Sequence, residues 1–102
     1  MFENVSKVLK KANVYLDGKV TSRTIFLQDG KRVTLGIMLP GEYEFSTKDK
    51  EKMEVISGNA EVLLPGEGNW KSVGDGDVFY IPEKSSFKIR VKELFDYCCY
   101  YG

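Results

Sequence analysis

The chain has 102 residues, the size of one compact domain, and its 42% hydrophobic and 13% aromatic content suits a core that folds without disulfide staples. Fifteen Lys and Arg balance fifteen Asp and Glu, so no net field draws the chain to nucleic acid or to an anionic membrane, and neither is an expected partner. There is no histidine, which excludes imidazole general bases, the triads that depend on them, and nearly every catalytic zinc or non-haem iron site.

The first dozen residues read as a short amphipathic helix over 1–12. Phe2, Val5, Val8, Leu9 and Ala12 recur at helical spacing, Lys7, Lys10 and Lys11 turn away, and Glu3 at the start suits the helix dipole. So short a helix needs a surface to pack on, so a lid or packing element is expected. Met1-Phe2-Glu3-Asn4 lacks the layout of a signal peptide, and the longest apolar run, Tyr97 to Tyr101, is far below the roughly 20 residues that span a bilayer. The expected setting is the cytoplasm, and the adjacent Cys98 and Cys99, about 3.8 Å apart across a trans peptide, are expected as free thiols.

From Asn13 onward, short β-rich runs alternate with turn residues, which predicts an all-β domain over 13–102. Val20 to Leu27 and Arg32 to Leu39 flank Asp29-Gly30, a hairpin signal. Further turns fall at Pro40-Gly41, Gly58-Asn59, Pro65 to Asn69, Gly74-Asp75-Gly76 and Pro82-Glu83. Strand alternation then sorts the side chains by face. Tyr43 and Phe45, Met53 and Val55, and Phe87, Ile89 and Val91 fall inward; Phe95, Tyr97, Cys99 and Tyr101 form a further inward set. Glu51 is in phase with Met53 and Val55, which puts a carboxylate at the mouth of an aromatic interior. Arg23 shares a face with Ile25 and Leu27 and so reads as inward, whereas Arg32 and Arg90 read as outward.

Two segments carry a family pattern. Gly76-Asp77-Val78-Phe79-Tyr80-Ile81-Pro82 resembles the second motif of cupins, the double-stranded β-helix or jelly-roll barrels, and Glu51 with Gly58 resembles the closing half of the first. Where a metal-binding cupin has histidines, this chain has Thr47, Asp49 and Phe87, so it resembles a cupin without the metal. The stretches Asn13 to Val20, Leu39 to Thr47, Glu51 to Gly58 and the closing Tyr97-Cys98-Cys99 are similar to the small bacterial pyrimidine/purine nucleoside phosphorylases. That resemblance implies a homodimeric or other homo-oligomeric enzyme with no cofactor. It implies cleavage of purine and pyrimidine nucleosides by phosphate to free base and ribose 1-phosphate.

Such a reaction needs a carboxylate, an anion site and a platform for the base, because positive charge builds on the sugar and negative charge on the departing base. Glu51 is the expected catalytic carboxylate; the plain alternative is a rim glutamate paired with Lys48 or Lys52. Arg23 is the expected phosphate ligand, the plain alternative being a solvated arginine on a strand whose two faces are assigned the wrong way round, with Ser46 and Thr47 as neutral donors unless they merely close a turn. Tyr43, Phe45, Tyr80, Phe87, Tyr97 and Tyr101 offer faces for a base, with Met53 and Cys99 beside them, although core packing is the commoner role for each in a small barrel that must fill its interior. Two rivals stand: a non-catalytic cupin that binds a sugar or nucleobase, and a hard-cation enzyme using Glu51, Asp49 and water. A second subunit is expected to cover an outer apolar face near Phe79 and Ile81.

Overall fold

A computed structural model describes residues 1–102, in which nine strands replace the turn-bounded runs. They are β1 (Val5–Val8), β2 (Asn13–Tyr15), β3 (Val20–Leu27), β4 (Arg32–Met38), β5 (Gly41–Ser46), β6 (Glu51–Leu63), β7 (Lys71–Gly74), β8 (Val78–Ile81) and β9 (Ser86–Tyr101). Residues Leu16–Gly18 make a 3₁₀ turn between β2 and β3.

The expected helix over 1–12 is absent. Val5–Val8 instead pairs antiparallel with the end of β3, Val5 opposite Leu27 and Val8 opposite Ile25. Phe2 and Val5 pack on Ile25, Val33 and Cys98 on the outer face of the sheet, and the Phe2 ring meets Tyr100 edge-on at 6.0 Å. The apolar spacing fits a helix, but an isolated helix of a dozen residues is marginal in water, while the free edge of β3 offers the backbone a full ladder of partners.

All nine strands are antiparallel members of one continuous sheet, folded on itself by its two longest strands. The 13-residue β6 pairs its first half with β8 and its second with β7; the 16-residue β9 pairs its first half with β5 and its second with β4. Where β6 and β9 run together, the register slips repeatedly between Val55 and Ala60, and this bend carries the sheet from one layer to the other. Between the layers lies a core of 16 buried residues, with Ala60, Val62, Ile89 and Phe95 at 0% exposure.

Gly58 sits at that bend with φ 121°, its N–H donating to Asp75 Oδ1 at 2.8 Å. A Cβ there would lie 2.5 Å from the Leu94 carbonyl oxygen and 3.0 Å from Phe95 Cα. Both neighbours are backbone, so neither can swing aside. Gly58→Ala therefore combines an unfavourable φ with overlap, and a loss of about 2–4 kcal/mol in a denaturant melt is expected.

Phe79 and Ile81 are core residues, 2% and 1% exposed, and not an outer face awaiting a partner. In the β6–β8 ladder Phe79 lies opposite Met53 and Ile81 opposite Glu51, and directly opposed residues share a face. The inward phase of β6 thus fixes that of β8 and leaves Tyr80 outside, 65% exposed.

Candidate functional site

One end of the barrel, where β4 and β6 begin and β5 and β9 finish, opens into a cavity of about 270 Å³. Val20, Met38 and Met53 form its apolar depth, and the Phe45, Phe87 and Tyr97 rings its walls. The β4–β9 register sets Gly36 opposite Tyr97, and a Cβ on Gly36 would lie 2.5 Å from the Tyr97 hydroxyl. The missing side chain is what gives that ring its place. Polar groups gather at the mouth: Ser46, Lys48, Glu51, Arg32 and Tyr101, with Cys99 beneath Glu51.

Glu51 is half-buried, and burial raises its pKa above the usual carboxylate range; the hydrogen bond from Cys99 and then the positive Arg32 only partly offset this, and Asp49 adds to it. Cys99 Sγ donates to Glu51 Oε1 at 3.5 Å. The Cys99 thiol is held protonated, first by burial and then by the Glu51 charge, which suits it to donate this hydrogen bond. Burial likewise keeps the Tyr97 and Tyr101 phenols neutral. Tyr101 OH shares a 3.2 Å hydrogen bond with Thr34 Oγ1, and the Arg32 guanidinium lies over the Tyr101 ring, 3.9 Å from its centroid. A half-buried carboxylate, two cations and five aromatic side chains, Tyr15, Phe45, Phe87, Tyr97 and Tyr101, therefore face one small space.

Of the residues singled out from sequence, Phe45, Ser46, Glu51, Met53, Phe87, Tyr97, Cys99 and Tyr101 line this cavity. Arg23 does not. Its guanidinium donates to the Lys10 carbonyl oxygen, and its side chain borders a shallow groove on the outer surface with Leu35 and Asp96. Ile25 and Leu27, which made Arg23 look inward, belong to the outer apolar cluster under the N-terminal strand. Tyr43 is buried, its hydroxyl donating to the Leu39 carbonyl at 2.7 Å, and Thr47 donates to the Pro82 carbonyl at 2.7 Å while accepting from the Ser85 N–H at 3.0 Å. Both brace loops. Tyr80 faces a second cavity behind β6.

Arg32, read as outward, is the cation that reaches the mouth. The β3–β4 register pairs Ile25 with Val33 on the outer face and Phe26 with Arg32 on the other, which sends Arg32 to the same side as Thr34 and Met38. The hairpin turn at Asp29-Gly30 carries that register, so it was the signal available. Arg90 is outside as expected, stacked on Trp70 at 3.7 Å and paired with Glu42 at 3.4 Å. No three His, Cys, Asp or Glu side chains converge in a group that could hold a metal ion.

A bent antiparallel barrel with a carboxylate and cations at one open end is the cupin-type fold, here built without histidine. The same fold occurs in the putative ethanolamine utilization protein Q of Salmonella typhimurium LT2, at 14% identity and a TM-score of 0.69 over 93% of this chain and 94% of that one. The chain belongs to the pyrimidine/purine nucleoside phosphorylase family, whose pattern matches residues 10–101. It is 55% identical to the pyrimidine/purine nucleoside phosphorylase of Hydrogenovibrio crunogenus over 98% of this chain and 95% of the relative. A crystal structure from Acinetobacter sp. ADP1, described as a protein of unknown function, superimposes with a TM-score of 0.94 at 38% identity, covering 100% and 98% of the two chains.

Proposed function

We propose that this protein cleaves purine and pyrimidine nucleosides with inorganic phosphate, releasing free base and ribose 1-phosphate, as a metal-independent pentosyltransferase. The observation that carries the reading is Glu51 held half-buried beside Arg32 and Lys48 at the mouth of an aromatic cavity. In the reaction the bond from C1′ to the base nitrogen breaks with its electron pair leaving on the base, which takes up a proton, and a phosphate oxygen forms the new bond to C1′. Glu51 as a carboxylate supports the cationic sugar, Arg32 and Lys48 hold the phosphate, and Phe45, Phe87 and Tyr97 receive the base. Aromatic faces accept any base, which suits both purine and pyrimidine substrates.

The expected result is base release from inosine and uridine only when phosphate is present, undiminished by chelator, with ribose 1-phosphate formed in equal amount. Nucleoside binding without base release would instead support the non-catalytic sugar- or base-binding cupin, and loss of activity with chelator a hard cation on Glu51 and Asp49. The assembly proposed is a homodimer working in the cytoplasm with both thiols reduced; sedimentation of the purified protein tests the dimer.

A further inference from the structure

Behind the strand that carries Glu51 lies a second, larger cavity of about 490 Å³, well within the size of small-molecule sites. Lys31, Lys50 and Lys52 border it, together with Tyr80, Tyr100 and Tyr101. The two ion pairs of the chain, Arg90 with Glu42 and Lys92 with Glu61, leave all three lysines without a carboxylate partner. Lys52 stands between two tyrosines, opposite Tyr80 in the β6–β8 ladder and opposite Tyr100 in the β6–β9 ladder. Its ammonium lies 4.9 Å from the Tyr100 ring centroid. Tyr80 on the other side is 65% exposed and carries no stacking partner. Gly102 N–H donates to the Lys50 carbonyl at 3.0 Å, which ties the end of β9 to the approach to β6 along this wall.

We propose that this cavity binds a nucleoside 5′-monophosphate. Three unpaired ammonium groups match a phosphate dianion, and the free face of Tyr80 matches a base, which is the pairing of cation and aromatic surface that nucleotides require. Inorganic phosphate would use only the first half and an uncharged nucleoside only the second. Glu51 and Tyr101 form part of the walls of both cavities, so a bound nucleotide is placed to bias the Glu51 site, and by linkage substrate at that site biases nucleotide binding equally. Nucleotide binding is measured without turnover, so the proposal stands or falls separately from nucleoside cleavage.

Titration of the full chain with uridine 5′-monophosphate by calorimetry tests it, with uridine and inorganic phosphate as parallel probes. Saturable binding is expected, at least tenfold tighter than phosphate alone and weakening as salt is raised. The surface double variant Lys31→Glu/Lys52→Glu should raise the Kd at least tenfold, whereas Arg32→Gln, at a side chain that lines the first cavity and not this one, should leave it within threefold. Absence of saturable nucleotide binding, a smaller rise in the double variant, or loss of binding in Arg32→Gln would overturn the proposal. Phosphate binding as tightly as the nucleotide would overturn it too, leaving a bare anion site.

Discussion

Glu51→Gln should lower kcat/KM for nucleoside phosphorolysis by about 100-fold, the scale of losing one electrostatic group that acts on developing charge. The same variant should melt at a higher temperature than the wild type at neutral pH. Burial raises the folded-state pKa of Glu51, so its ionised form opposes folding. The sign follows by linkage: a raised pKa favours the folded state below the unfolded value of 4.5, and that advantage is lost as pH rises through the folded pKa. Glutamine removes the charge and with it the loss, so the stability gap between variant and wild type should be greatest near neutrality and close as pH falls below 4.5. In wild-type kcat/KM the acid limb should sit above the ordinary carboxylate range and vanish in the variant, whose residual rate reports the other groups alone. A glutamate that merely paired with Lys48 or Lys52 on the rim would behave in the opposite way, losing stability as glutamine and leaving turnover intact. Thermal melts and pH-rate profiles on the same two proteins therefore separate the two roles.

Strand alternation read the deep part of the fold well because β5, β6 and β9 each have one apolar and one charged face. Glu42, Glu44, Lys52, Glu54 and Lys88 mark the outside so plainly that Tyr43, Met53, Val55, Phe87, Ile89 and Tyr97 had only one way to point, and all six are buried. Glu51 followed from the same phase. Alternation fails in β3 and β4 because both of their faces are covered, one by the core and the other by the N-terminal strand. Ile25 and Val33 are therefore buried on the outside, while Ser22, Thr24 and Thr34 are buried on the inside, where small polar groups are satisfied locally. Apolarity carries no sign of direction on such strands. The N-terminal segment was misread for a related reason: its apolar spacing describes a surface to be covered, and only the free edge of β3 decides that a strand covers it. Tyr80 and the second cavity were hidden because their position depends on the β6–β8 register, a pairing of strands that no local pattern announces.

The choice between the two arginines gives the remaining large effect. Arg32→Gln should raise the KM for phosphate about 10- to 100-fold, as expected for losing a charge-assisted contact to an anion, with a smaller change in the KM for nucleoside. Its guanidinium lies over Tyr101 at the cavity mouth, which Glu51 also lines, where the proposed reaction brings phosphate to the sugar. Arg23→Gln should leave both constants within twofold, because that side chain spends its hydrogen bond on the Lys10 carbonyl across the outer surface. Arg32→Lys is informative beside them. It keeps the positive charge but loses the planar group that stacks on Tyr101 and can grip two phosphate oxygens at once, so partial recovery relative to glutamine is expected. Full recovery would make Arg32 a simple source of charge, and a phosphate KM that follows Arg23 in place of Arg32 would move the anion site off the barrel mouth altogether. Neither substitution enters the core, so a change in phosphate KM reads the site and not the fold.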